Sequence, residues 1–159
     1  MPISPLRTHP EFLAELGGFV ILFSHVESNI KDFIASLADI KDYNVGNMIV
    51  AESPFKAIWS NLMSLYRYKI KDDKKIEVLE KILDEIDKIN KVRNDIVHGS
   101  WQFSSQGILR IKKETKFAKG FKYTLEKYSI EKLQEYSDRL FKANSKLLDL
   151  NIEYERKNK

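Results

Sequence analysis

The feature that most constrains this chain is a three-and-four spacing of apolar residues, sustained over long stretches that no proline interrupts. Between Glu11 and Leu37 it runs through Leu16, Phe19, Val20, Phe23, Val26, Ile30, Phe33, Ile34 and Leu37, the spacing of one buried helical face. A second run, Leu79, Ile82, Ile86, Ile89, Arg93 and Ile96, predicts a helix from about Lys74 to Val97, closed by Gly99. A third, Ile130, Leu133, Tyr136 or Ser137, Leu140, Leu147 and Leu150, predicts a last helix from Ile130 to about Glu155 with Ser129 as its cap. Ser53-Pro54 opens a shorter helix to about Tyr68, serine capping and proline taking the first helical position. Its stripe is Phe55, Ile58, Leu62 and Leu65, with Trp59 and Tyr66 beside it. Asp39 to Glu52 reads as a connection with room for a turn of helix. The Gly17-Gly18 pair weakens the first helix, and close approach of a neighbouring backbone is its expected reason.

From Trp101 to about Leu125 the period changes. Trp101 to Phe103 and Ile108 to Ile111, separated by Ser104-Ser105-Gln106-Gly107, read as two strands on a tight turn, and Phe117 to Tyr123 supplies a third. The expected fold is therefore mainly α: a four-to-five-helix bundle with a small β-hairpin inserted before the last helix. No repeat or linker divides it, so residues 1–159 form one domain with its insertion at about 101–125.

Hydrophobic residues at 43% and charged residues at 31% exclude a disordered chain. The absence of cysteine excludes disulfides, thiolate metal sites and cysteine nucleophiles together. Met1 to Arg7 lacks the pattern of a secretory signal and Phe19 to Phe23 is too short to span a bilayer, so a cytoplasmic protein without membrane contact is expected. The net charge of +4 is uneven: residues 1–100 carry 13 Lys and Arg against 15 Asp and Glu, whereas residues 101–159 carry 14 against 8. Much of that excess, Arg110, Lys112, Lys113, Lys116, Lys119 and Lys122, falls in the hairpin region, a patch suited to RNA phosphates or to protecting a sheet edge.

His9 and His25 lack a neighbour that would give them a mechanism, and both read as solvent-facing or structural. His98 differs: it ends a predicted helix, precedes Gly99, and follows Arg93 and Asn94. Asn94, one turn earlier, can hydrogen-bond the ring and fix its orientation. Arg93 stands on the core-facing stripe, where a guanidinium needs an anionic partner such as Glu27. Five residues apart, Arg93 and His98 lie about 140° apart around the axis. They converge only if the helix end distorts or a second copy of the chain completes the site across a two-fold axis. An arginine fork suits phosphate oxygens and an imidazole moves protons near neutrality. Together they meet the needs of RNA cleavage by its own 2′-hydroxyl. No cofactor is implied, and no residue cluster resembles a metal site. A purely structural use of both, with His98 favoured by the helix dipole, stands beside this reading.

Arg93-Asn94-Asp95-Ile96-Val97-His98 resembles the signature of the HEPN superfamily, an arginine followed by a polar residue and, after four to six residues, a histidine at the end of a long helix. Phe23-Ser24-His25-Val26-Glu27 is similar to the aromatic and acidic positions of many HEPN first helices. The resemblance implies a metal-independent endoribonuclease acting as a homodimer, often in toxin–antitoxin or antiviral systems, with RNA as substrate and a cognate antitoxin protein as partner. It implies that Arg93 contacts the scissile phosphate, His98 acts as acid–base group and Asn94 orients them. A non-catalytic dimeric module binding RNA, a nucleotide or a partner protein is the alternative within that family. Ser100 stands where one toxin subgroup carries a tyrosine, and the basic hairpin lies outside the minimal bundle.

Overall fold

A computed structural model describes the backbone of residues 9–50, 53–104, 107–116 and 120–158 and, within these, the side chains of all but 43, 47, 112–116 and 120–123. The chain runs α1 (Pro10–Leu37), α2 (Tyr43–Val50), α3 (Phe55–Lys69), α4 (Asp73–Val97), β1 (Ser100–Ser104), β2 (Gly107–Lys116), β3 (Gly120–Tyr128) and α5 (Ile130–Asn158). Among the described residues, five helices and a three-stranded antiparallel sheet in the order β1-β2-β3 bear out the predicted helical bundle with a β insertion before its last helix.

The predicted stripes form the core. Phe19, Phe23, Val26, Ile30, Phe33, Ile34 and Leu37 of α1 are buried against Ile58, Leu62 and Tyr66 of α3, Leu79 to Ile89 of α4, and Leu133, Leu140 and Leu147 of α5. Each such side chain contributes roughly 1.5–3 kcal/mol on removal from water. Helices α1 and α5 lie alongside each other in the same direction, linked by Ser137 to Glu15, Asn29 to Asn144 and Ser36 to Glu155. Helix α4 runs antiparallel to α5, since Lys75 bonds Glu153 and Arg139 bonds Glu85. The sheet therefore sits at the end of the bundle where α4 stops, α5 starts and α1 begins.

Several local expectations change. Ser53 does not cap α3; Pro54 is the N-cap and no side chain bonds the first turn. The cap of α4 is Asp72, which accepts from the Lys74 and Lys75 amides, so the helix starts at Asp73. The third strand begins at Gly120 and extends to Tyr128; the predicted start at Phe117 lies outside the described residues. Gly17 and Gly18 face open space, with nothing within 4 Å of a methyl built on either, so close backbone approach is not their reason. The connection read at residues 39–52, with room for a turn of helix, holds the two-turn helix α2 (Tyr43–Val50). Among the described residues no helix is long and apolar enough to cross a membrane.

Candidate functional site

The buried stripe of α4 runs to Ile96, one residue before the helix ends, so the last turn is anchored in the core on that side while Asn94, Asp95 and Val97 are exposed. His98 is the C-cap; its amide donates to the Asn94 carbonyl at 3.0 Å, and the Gly99 amide reaches the Ile96 carbonyl at 3.4 Å. The indole Nε1 of Trp101 donates to that same carbonyl at 3.0 Å, fastening β1 to the helix end. Gly99 is required by space: a methyl there would stand 2.6 Å from the Asp95 carbonyl oxygen and 3.4 Å from the Arg110 Cγ and Cδ.

Arg93 is half-buried, and its guanidinium carbon lies 5.7 Å from the centre of the Phe23 ring, a separation at which a cation is attracted to an aromatic face. The aromatic residue of the first-helix resemblance and the arginine of the α4 signature thus meet. Arg93 makes no ion pair with Glu27 or any other described residue; Nη1 donates to Asn94 Oδ1 at 3.0 Å, and Nε is buried without a partner. Asn94 is therefore joined to the arginine rather than to the histidine ring it was expected to orient. The His98 ring is exposed and has no hydrogen-bond partner among the described residues.

A cleft of ≈ 240 Å³ opens beside this helix end, lined by Asn94, Asp95, His98, Gly99, Ser100, Arg110 and Ile111. It collects Asn94 and His98 but not Arg93, so one chain does not assemble the predicted arginine–histidine pair in a single cleft. Among the described residues, no group of three or more histidines, aspartates and glutamates gathers as metal donors would.

Arg110 departs from its expected role in an exposed basic patch. It is 7% exposed, on the core-facing row of the sheet beside Trp101 and Glu126, its register neighbours on β1 and β3. Its guanidinium bonds Glu126 at 2.6 Å and Asp95 at 3.2 Å and lies 5.8 Å from the Tyr128 ring. With both forks engaged it is not free for a phosphate. Burial opposes its charge, but Glu126 and Asp95 more than offset this and hold the guanidinium above its ordinary pKa. Lys132 also bonds Glu126, at 2.6 Å; chiefly through that ammonium, and against partial burial, the carboxyl is held below its ordinary range.

Register places Lys112 opposite Thr124, Lys113 opposite Tyr123, Lys116 opposite Gly120 and Lys122 opposite Glu114. Their side chains, and Lys119 entirely, lie outside the described residues. His25 is exposed, as expected, whereas the His9 Nε2 lies 3.2 Å from the Ser104 carbonyl and its ring 6.0 Å from that of Phe103. Sequence reasoning missed Phe12, whose ring packs against Trp101 and Tyr128, and missed the Asp95–Arg110–Glu126 chain. Strand alternation sets Arg110 on the face opposite Leu109 and Ile111, so the local pattern carried no signal of its burial. Comparisons with models of protein families, with curated proteins and with solved structures find no match to this chain.

Proposed function

We propose that this chain is a metal-independent endoribonuclease of the HEPN type, a cytoplasmic toxin or antiviral-defence component whose active site forms when two copies pair. The observation that carries the reading is the exposed imidazole of His98 at the end of α4, with no hydrogen-bond partner among the described residues, in a cleft that holds Asn94 but, among the described residues, no free cation. A phosphate in that cleft needs a guanidinium. Arg93, placed one turn back and around the helix, meets that need from a second copy of the same helix end, as an isologous pair supplies. In the reaction the substrate's 2′ oxygen forms a bond to phosphorus as the bond to the 5′ oxygen breaks. The 2′ proton passes to an imidazole and one returns to the leaving oxygen, while arginine stabilises the charge on phosphorus. Lys112, Lys113, Lys116, Lys119 and Lys122 of the insertion hold the RNA backbone; Arg110 is left out of that set. An antitoxin partner follows from the toxin reading.

A second reading, a non-catalytic dimeric module that holds RNA, a nucleotide or a partner protein, is favoured by the separation of Arg93 from the cleft. Incubation of the purified protein with single-stranded RNA in EDTA distinguishes the two. The nuclease reading expects fragments ending in 2′,3′-cyclic phosphate, and folded but inactive Arg93→Ala and His98→Ala variants. Cleavage that survives both substitutions sinks the assignment, and a fully active His98→Ala protein in cells supports the module.

A further inference from the structure

The end of α4 carries an electrostatic defect that the chain repairs from elsewhere. Asp95 stands in the last turn, where the helix dipole is negative, and no basic residue lies in that turn. A carboxylate there favours fraying. Arg110 reaches it from β2, bonding Asp95 with one nitrogen while the other is held by Glu126 of β3, itself bonded to Lys132 of α5. The stem of the same arginine lies across Gly99, close enough that an added methyl would stand 3.4 Å from its Cγ and Cδ. Helix α4, strands β2 and β3 and helix α5 are thus linked through buried Arg110, which touches Asp95 and Gly99 on either side of His98 in the chain.

The geometry points to Arg110 as a positioning residue: by clasping Asp95 and covering Gly99 it fixes the last turn of α4, and so fixes where the His98 imidazole stands. The β insertion is then a brace for the helix end. A guanidinium suits the task because its planar fork holds carboxylates on two elements at once, which a single ammonium does not. The part of the inference that concerns catalysis rests on the nuclease reading; the part that concerns the helix end does not.

Two measurements on Arg110→Met test it. Amide hydrogen exchange reads the helix end directly, because the His98 and Gly99 amides bond Asn94 and Ile96 of the last turn. Protection at these two amides is expected to fall about tenfold while that of Ile30 in α1 and Leu62 in α3 stays within about threefold. Unchanged protection at His98 and Gly99, or an equal fall at all four, overturns the clasp. In RNA cleavage kcat is expected to fall about tenfold with KM within about twofold, the mark of a displaced acid–base group. A raised KM with kcat kept would instead put the guanidinium on the substrate and overturn the positioning role. Should Arg110→Met not fold, Arg110→Lys, which keeps the charge on Glu126, is read by the same criteria. If the wild-type protein leaves RNA intact, the nuclease reading fails and the exchange measurement alone decides the clasp.

Discussion

His98 and Arg93 differ in what their removal costs the fold. The His98 ring is exposed and unbonded, so His98→Ala is expected to leave stability within about 0.5 kcal/mol while cleavage falls by about 10²–10⁴. Arg93→Ala also removes the cation's attraction to the Phe23 ring, worth roughly 0.5–1 kcal/mol, so its melting temperature drops slightly as its activity disappears. A melting scan beside an RNA cleavage assay separates the two effects. Glu126 gives a pH signature. Its carboxyl titrates below the ordinary 4.5 in the folded chain, held there first by Lys132 and also by Arg110. The stability it contributes is therefore present above pH 4.5 and is lost as pH falls through the lower folded value. Denaturant unfolding at stepped pH should show a shallower acid loss for Glu126→Gln than for the wild type. Arg93 and His98 were legible as candidates because their relation is local, a spacing along one helix. Arg110 was misread because its partners Asp95 and Glu126 lie 15 and 16 positions away: strand register brings Glu126 beside it and the packing of the sheet on the end of α4 brings Asp95, and composition reveals neither.

At the scale of elements, long amphipathic helices were readable because an apolar stripe sustained over five or more helical positions marks one buried face. Where α2 stands the sequence left room for only a turn of helix, since Val45, Met48 and Ile49 are exposed and, of its described apolar side chains, Val50 alone is buried. Phe12 escaped because its partners, Trp101 and Tyr128, come from the sheet. The glycines of α1 are instructive in the same way. Sequence gives Gly17 and Gly18 a packing reason, whereas open space surrounds both. Gly17→Ala and Gly18→Ala are each expected to stabilise the protein by about 0.5–1 kcal/mol, the helical difference between the two residues, as a shift in the denaturant midpoint would register. Gly99→Ala has the opposite sign: the built methyl at 2.6 Å from the Asp95 oxygen forces the helix end apart, for an expected loss of about 1–3 kcal/mol.

In the whole molecule, the sheet joins two antiparallel helices, α4 and α5, at the end of the bundle where the proposed chemistry lies. The basic excess of the chain, 14 Lys and Arg against 8 Asp and Glu after residue 100, is concentrated there too. If insertion lysines hold the RNA backbone, Lys112→Glu with Lys113→Glu raises KM and flattens its dependence on salt, by about 0.7 in logarithmic slope for each phosphate no longer neutralised, with kcat unchanged. The central claim is that an arginine of one copy acts with a histidine of the other, and mixing two dead variants tests it most directly. Arg93→Ala and His98→Ala proteins, each inactive alone, form mixed dimers with one intact composite site in two. After subunit exchange the mixture should recover about a quarter of wild-type RNA cleavage, half the dimers being mixed. Mixed dimers that form and stay inactive would contradict the account.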